Sequence, residues 1–212
     1  MEDIKWIFFD IGYTLVDETA VWAQRCREQA QTDEARALGL SAEQIYAEIV
    51  QASQNYLPQY RTVVRKFGFS HPAPYRHALE KLYDEAPGVL QTLSEAFCLG
   101  VIANQTDGLS ERLRAWGIAE YFSLVVSSWD HKIMKPDVRL FTIALEQAGC
   151  APQQAVMVGD RLDNDIEPAK KTGMKTVWCK QGFGALQSPR SAESVPDYQI
   201  ESLADLPRLF YT

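Results

Sequence analysis

Short apolar runs alternate with longer helical segments along most of the chain. The runs, at residues 4–9, 99–103, 124–127, 155–158 and 175–179, have the length of buried strands. The segments between the later runs have helical periodicity, and several of them end at a glycine. Strands that alternate with helices predict an α/β fold, in which helices cover both faces of a parallel sheet.

Residues 18–84 interrupt this alternation, because they contain no convincing strand pattern. The segment is rich in Ala, Gln, Glu and Arg, with breaks near residues 39–41, at Pro58 and at residues 68–74. Ser41 followed by Gln44 has the spacing of a capping box at a helix start. We therefore predict three or four helices, inserted after the first strand. The expected domains are a core at 1–16 and 86–212 and a helical domain at 17–85.

Composition argues against several classes of protein. The 212 residues carry a formal net charge of -7, and such an acidic surface repels nucleic acid. No apolar run approaches the roughly 20 residues that a membrane-spanning helix needs. The N-terminus lacks a signal-peptide pattern, and the cysteines are scattered without metal-site spacing, at Cys26, Cys98, Cys150 and Cys179. We therefore expect a cytoplasmic protein with buried, reduced thiols and with neither a nucleic acid nor a membrane as partner.

Polar residues stand where the predicted strands end. Asp10 follows the first strand, Asn104 follows the second and Asp160 follows a later one, whereas Lys135 and Asp165 lie at the starts of helices. Ligands of open parallel sheets bind at the carboxyl ends of strands, so we expect these side chains to converge. Clustered carboxylates repel one another unless a cation lies among them, and an all-oxygen ligand set favours magnesium over zinc. The alternative is a set of unrelated helix caps and loop carboxylates.

Four segments carry a resemblance to a known family. FFDIGYTLVD, VIANQTDG, KPDVRLF and VGDRLDNDI resemble, in this order, the four motifs of the haloacid dehalogenase-like (HAD) hydrolase superfamily. The insert after the first motif resembles the helical cap of that superfamily's type-I (C1) members. The resemblance covers nearly the whole chain, and it implies a three-layer Rossmann-like parallel sheet with a helical cap domain inserted after the first strand.

The resemblance also implies roles for the acidic residues and the lysine. Asp10 would be the nucleophile and would form an aspartyl-phosphate. Mg²⁺ would be held by Asp10, the backbone carbonyl of Gly12 and Asp160, with Asp165 as a further ligand or as a support for the ligands. Lys135 would be catalytic and would also bind phosphate, because its charge would neutralise the nucleophile and the phosphoryl oxygens.

The second motif would bind the phosphate. Asn104, Gln105 and Thr106 would hold it through side chains and backbone amides, helped by the helix that we predict to start near Asp107. Asn164, in the fourth motif, would either orient a neighbouring site residue or cap a helix.

Two positions depart from the family pattern. Phosphatases of the superfamily usually carry a second aspartate two residues after the nucleophile, which protonates the leaving oxygen and later activates water. Gly12 stands there, and since a positioned acid or base contributes about 10²–10⁴-fold, we expect weakened acid/base catalysis. In the second motif Ala103 stands where Ser or Thr is usual, so Thr106 would either replace the lost phosphate contact or cap a helix.

The missing aspartate leaves three alternatives open. The substrate has a good leaving group, such as an acyl phosphate, which needs no proton from the enzyme. Otherwise a residue near or within the cap supplies the acid, the candidates being Asp17, Glu18, His71 and His77. Otherwise the chain is a weak or inactive relative.

The leading hypothesis is therefore a Mg²⁺-dependent phosphatase of a small phosphorylated metabolite. The first alternative is a catalytically weak or inactive HAD-fold protein that binds or regulates. The third is a hydrolase of haloacids or phosphonates, although dehalogenation needs no metal and phosphonate hydrolysis needs a cap lysine, for which Lys66 and Lys81 are available. The sequence leaves a homodimer open.

Overall fold

Six parallel strands form the central sheet. A computed structural model of the chain describes residues 3–211. The strands are β1 (Trp6–Phe9), β2 (Val16–Asp17), β3 (Lys81–Leu82), β4 (Cys98–Ala103), β5 (Phe122–Ser127), β6 (Ala155–Gly159), β7 (Lys175–Cys179) and β8 (Tyr198–Ile200). Their order in the sheet is β5-β4-β1-β6-β7-β8, and β2 pairs with β3 separately. The chain fills one side of β1 first and then the other, and such a reversal is where open parallel sheets bind ligands.

Helices cover both faces of the sheet, which confirms the predicted α/β architecture. The helices are α1 (Thr19–Ala30), α2 (Asp33–Ala37), α3 (Ala42–Gln54), α4 (Gln59–Phe67), α5 (Ala86–Ser94), α6 (Leu109–Ala115), α7 (Ser128–His131), α8 (Val138–Ala148) and α9 (Glu167–Lys171). Successive side chains of a strand point to opposite faces. Ile7 and Phe9 of β1 therefore pack in one apolar cluster with α5 and α6, whereas Phe8 packs in another with α8 and α9.

The segment between β2 and β3 forms the helices α1 to α4, within the predicted number of three or four. They pack around an apolar cluster of their own, in which Ile45, Ile49 and Val63 are fully buried. The predicted capping box at the start of α3 is confirmed, because the backbone N–H of Gln44 donates to Ser41 Oγ and that of Ser41 donates to Gln44 Oε1, at 3.2 and 2.8 Å. The helices thus have a core separate from the two clusters on the sheet.

The antiparallel pair β2–β3 joins the helical segment to the sheet. Val16 lies opposite Leu82, and Asp17 lies opposite Lys81. The sequence pattern gave no strand at β3, because two residues are too few for any alternation to be visible.

A loop that follows β7 makes a further connection to the helices. The ring of Phe183 lies 5.4 Å from Trp22, 5.4 Å from Tyr13 and 5.5 Å from Tyr46, between ring centroids. Gln187 in the same loop donates a hydrogen bond of 2.9 Å to the backbone carbonyl of Ser53 in α3. A side chain from the sheet domain is thus part of the apolar cluster of the helices.

The structure also describes the length of the helices and the burial of the four cysteines. Within residues 3–211, no helix has the length and hydrophobicity that crossing a bilayer requires. All four cysteines are free thiols, and Cys26 and Cys179 are buried as expected, but Cys150 is half-buried and Cys98 is exposed. Cys98 is the first residue of β4, at the amino end of that strand.

Candidate active site

Three carboxylates meet at the carboxyl end of the sheet. Asp10 follows β1 and Asp160 follows β6, and because these strands are parallel neighbours, their ends lie side by side. Asp165 comes from the turn Leu162–Ile166 that follows β6. One oxygen of each carboxylate lies within 4.8 Å of those of the other two. The structure thus brings together the three acidic residues that the sequence indicates.

Lys135 bridges two of these carboxylates. Its Nζ donates to Asp10 Oδ1 at 2.7 Å, to Asp165 Oδ1 at 2.6 Å and to the carbonyl of Ile102 at 3.0 Å. Burial alone would lower the pKa of Lys135, but the two adjacent carboxylates outweigh it and raise that pKa. The lysine is therefore a buried, permanent cation beside Asp10.

Asp165 is held from both sides. Its second oxygen, Oδ2, accepts the backbone N–H of Arg161 at 3.0 Å. A Cβ at Gly159 would lie 2.4 Å from the Cβ of Asp165, so the close approach of this side chain to the end of β6 requires glycine there. Burial raises the pKa of Asp165 to about 6, although Lys135 opposes the shift.

Asp160 is the carboxylate that the protein leaves without partners. Its side chain is buried, yet no donor among residues 3–211 forms a hydrogen bond to it. Burial and the nearby Asp165 and Asp10 raise its pKa well above the ordinary value for aspartate. A buried carboxylate without a partner is unfavourable unless it is protonated or binds a cation. Together with the all-oxygen donor set, this fits a hard divalent ion such as Mg²⁺.

The residues after β4 line the same cavity, but the side chains of Asn104 and Gln105 form hydrogen bonds with other groups of the protein. Asn104 Nδ2 donates to the carbonyl of Lys135 at 2.9 Å, and Asn104 Oδ1 accepts the N–H of Lys135 at 2.7 Å. Gln105 Oε1 accepts from Arg112 Nη2 at 2.7 Å. Asn104 therefore positions the segment that carries Lys135, and phosphate binding by Asn104 and Gln105 stays a prediction.

Thr106 is not a helix cap, which corrects one of its two predicted roles. α6 begins at Leu109 rather than near Asp107, and it follows Gly108, whose φ of 80° is left-handed. Thr106 Oγ1 instead lies 2.8 Å from His77 Nε2, in the lining of the cavity. Asn164 also lines the cavity, but within the described chain it hydrogen-bonds neither Asp165 nor Lys135.

The four candidates for the missing acid lie in different places. Asp17 Oδ1 accepts the N–H of Thr19 at 2.8 Å at the start of α1, outside the cavity, and His71 is exposed beside Glu34. Glu18 and His77 both line the cavity. Of the four, only these two are therefore placed to contact a bound molecule.

Glu18 lies against Gly12, the position of the departure from the family pattern. A Cβ at Gly12 would lie 2.4 Å from Glu18 Oε1. Burial raises the pKa of Glu18 to about 7, although its hydrogen bonds from Tyr75 and Trp22 oppose the shift. Gly12 lines the cavity too, and its carbonyl as a metal ligand stays a prediction.

The cavity has a volume of about 980 Å³ and lies between the sheet and the helical segment. Sequence reasoning missed Arg25, whose guanidinium stacks 3.5 Å above the ring of Tyr60 and whose Nε donates to the carbonyl of Ala73. It also missed Trp129 and Lys132, which line the cavity from the segment after β5. The rule that sites form at strand ends, applied to β5 as well, would have found these two.

The lysines proposed for phosphonate chemistry lie elsewhere. Lys66 pairs with Glu48 and Lys81 pairs with Asp84, all at exposed or partly exposed positions, and neither lysine lines the cavity. A Schiff base with a substrate held at Asp10 is therefore not supported by their placement.

Comparison with known proteins agrees with this geometry. The haloacid dehalogenase-like hydrolase family model matches residues 7–179. A glyceraldehyde 3-phosphate phosphatase of Methanopyrus kandleri is 30% identical, over 96% of this chain and 95% of the relative. A HAD phosphatase from Thermococcus onnurineus has a TM-score of 0.68 at 25% identity, over 97% of each chain. A putative HAD-hydrolase from Bacillus subtilis, bound to magnesium, has a TM-score of 0.71 at 21% identity, over 100% of each chain. The protein is therefore a member of the haloacid dehalogenase-like hydrolase family.

Proposed function

We propose that the protein is a Mg²⁺-dependent phosphatase of a small phosphorylated metabolite, with Asp10 as the nucleophile. The observation that carries the proposal is the cluster of Asp10, Asp160 and Asp165, in which Asp10 and Asp165 bind the buried ammonium of Lys135. The relative named a glyceraldehyde 3-phosphate phosphatase, which aligns over nearly the whole chain, supports phosphate esters as the substrate class.

The residues divide the chemistry between them. Asp10, Asp160 and Asp165 would hold Mg²⁺, which when bound would offset their charge and polarise the phosphoryl oxygens. Lys135 orients Asp10, because its Nζ donates to Asp10 Oδ1 and is fixed by two further acceptors. A lone pair of the Asp10 carboxylate attacks phosphorus, and the bond from phosphorus to the leaving oxygen breaks. Water then hydrolyses the aspartyl-phosphate.

We also propose that residues 17–85 act as a cap over this site, with the core at 1–16 and 86–212. The separate apolar cluster of α1 to α4 and the narrow β2–β3 connection support that division. The cavity is lined from both sides, by Asp10 and Lys135 below and by Arg61 and Tyr60 above. An arginine on the cap side would suit a substrate with a second anionic group, and a closed cap excludes water from the reaction.

An activity assay tests the proposal. Phosphate release is measured with and without Mg²⁺ from acetyl phosphate, 4-nitrophenyl phosphate and glyceraldehyde 3-phosphate. Asp10→Asn removes the nucleophile, and Asp84→Asn is the control, because Asp84 is an exposed carboxylate that does not line the cavity. Turnover that needs both Mg²⁺ and Asp10 supports the phosphatase.

Two other results would contradict the phosphatase function and indicate a different one. Turnover by the wild type that is no faster than that of Asp10→Asn would indicate the weak or inactive binding protein. Release of halide from a 2-haloacid without metal would indicate a dehalogenase.

A further inference from the structure

A carboxyl group fills the space that a side chain at position 12 would take. A Cβ on Gly12 would lie 2.4 Å from Oε1 and 2.8 Å from Cδ of Glu18, so the two groups exclude each other. Gly12 is two residues after Asp10, and Glu18 directly precedes α1 at the entrance to the helical segment. The chain thus turns back so that the carboxyl of Glu18, only eight residues after Asp10, lies against Gly12.

The Glu18 carboxyl is fixed in this position. Oε2 accepts from Trp22 Nε1 at 2.9 Å, and Oε1 accepts from the hydroxyl of Tyr75 at 2.7 Å. Within residues 3–211, Glu18 forms no ion pair, and it is not part of the carboxylate cluster of Asp10, Asp160 and Asp165. It lines the cavity. Glu18 therefore belongs neither to a salt bridge nor to that cluster, but it lines the same cavity as Asp10.

A hydrogen-bonded chain holds the Tyr75 hydroxyl that supports Glu18. This hydroxyl also lies 3.1 Å from Glu80 Oε1, which lies 2.9 Å from His77 Nδ1. His77 Nε2 in turn reaches Thr106 Oγ1 in the segment after β4. Hydrogen bonds thus connect Glu18 to the loop after β4, which we expect to bind phosphate.

We propose that Glu18 is the general acid and base of this site, in place of the aspartate that Gly12 lacks, and that the substrate class therefore includes alkyl phosphates. The inference rests on the proposed phosphatase function and deepens it. An alkoxide is a poor leaving group, so alkyl phosphates are the substrates that most need a proton donor. The weakened acid/base catalysis expected from Gly12 alone does not then follow.

Glu18 would give up a proton in the first step and take one back in the second. As an Asp10 oxygen bonds to phosphorus, the phosphorus–oxygen bond of the ester breaks, and its electron pair goes to the leaving oxygen. This oxygen takes the proton from the Glu18 carboxylic acid and departs as the alcohol. The Glu18 carboxylate then takes a proton from water, whose oxygen bonds to phosphorus. The bond between phosphorus and Asp10 breaks, which regenerates the Asp10 carboxylate and protonated Glu18 and yields inorganic phosphate.

A leaving-group series tests the proposal. Turnover with Mg²⁺ is measured for acetyl phosphate, for aryl phosphates and for an alkyl phosphate, with the wild type, Glu18→Gln and the control Asp17→Asn, whose carboxylate lies outside the cavity. In kcat/KM, which reports departure of the leaving group and not the later hydrolysis of the aspartyl-phosphate, Glu18→Gln should lose about 10²–10⁴-fold on the alkyl phosphate and less than about tenfold on acetyl phosphate. Its rates should fall more steeply with leaving-group pKa than those of the wild type. Urea unfolding shows whether each variant is folded.

A rescue variant separates catalysis from structure. In Glu18→Ala, the added substitution Gly12→Asp places a carboxylate in the vacated space and should restore at least about tenfold of the lost alkyl phosphatase activity. Gly12→Asn in the same background should restore none. With acetyl phosphate, Glu18→Gln should accumulate the phosphorylated enzyme, seen by intact mass, because its hydrolysis lacks a base.

The outcomes distinguish the two proposals. Equal losses of kcat/KM by Glu18→Gln on all substrates, an unchanged leaving-group slope of kcat/KM or the absence of rescue would overturn the role of Glu18 and leave the phosphatase standing. If the wild type has no turnover that depends on Asp10, even on acetyl phosphate, the proposed function fails, and the role of Glu18 fails with it.

Discussion

The contact between Gly12 and Glu18 predicts an unusual effect of adding one methyl group. In Gly12→Ala, the new Cβ would lie 2.4 Å from Glu18 Oε1, whereas ordinary contacts begin near 3.4 Å, so the carboxyl must move by about 1 Å. That movement takes it out of hydrogen-bond range of Tyr75 and Trp22, which are now 2.7 and 2.9 Å away. We therefore expect Gly12→Ala to be destabilising.

The magnitude follows from those two hydrogen bonds. Bonds to a charged group contribute about 1.5–3 kcal/mol each, and part of the loss is recovered when the carboxyl finds new partners, so we expect a loss of about 2–4 kcal/mol. For a chain of this size that corresponds to a fall in Tm of about 4–16 °C. In the Glu18→Ala background the clash is absent, and Gly12→Ala should be neutral within about 0.5 kcal/mol.

The assay is a double-mutant cycle. Urea unfolding of the wild type, both single variants and the double variant is measured without divalent metal, with Gly88→Ala as the control. A Cβ on Gly88 meets nothing within 4 Å, and its position in α5 makes that substitution neutral or slightly stabilising. If Gly12→Ala costs the same with and without the Glu18 carboxyl, the two residues do not compete for space, and the reasoning about their contact is wrong.

Three further predictions concern the carboxylate cluster and the loop after β7. Lys135→Met should destabilise the metal-free protein by about 3–5 kcal/mol, because it leaves the buried carboxylate of Asp165 and the partly buried one of Asp10 without their cation, and Mg²⁺ should restore part of this in thermal unfolding. Burial raises the pKa of Asp165 from 3.8 to about 6. The protonated Asp165 therefore contributes to the stability of the metal-free protein at low pH, and this contribution is lost as pH rises through that range. Mg²⁺ should raise Tm more above pH about 7 than below pH about 4. Equal shifts at both pH values would contradict this. Phe183→Ala should destabilise by about 3–5 kcal/mol in urea, whereas Leu186→Ala, at an exposed position, should change stability little.

The carboxylate cluster was predictable because it follows from topology. Residues at the carboxyl ends of neighbouring parallel strands meet whatever their separation in sequence, so Asp10 and Asp160 are brought together by the pairing of β1 with β6. The bridge from Lys135 to Asp10 and Asp165 also agrees with the expected convergence. Local signals were equally reliable where a short pattern specifies geometry, as in the capping box at Ser41.

The contacts of Glu18 and Arg25 could not be predicted in the same way. Both lie in the helical segment, and their positions depend on how the chain turns between β1 and α1 and on how α1 packs against the aromatic residues of the other helices. Glu18 could be named from the sequence only as one of four candidates, because nothing in the pattern indicates that its side chain reaches Gly12. α6 begins at Leu109, later than predicted, for a local reason: the backbone of Gly108 is left-handed, so the helix can begin only after it.

The placement of Phe183 constrains how ligands enter and leave. If the helices swung away about the two-residue β2–β3 connection as a rigid unit, this aromatic ring would lose its contacts with Trp22 and Tyr46, though not with Tyr13, and would become more exposed to water. Each opening would then have to overcome that apolar contact as well as any interaction with the ligand. If instead the loop after β7 travels with the helices, the opening bends the chain between Cys179 and Gly184. Because Gly184 lies against the backbone of Asp160, admission of substrate and the shape of the proposed metal site would then change together.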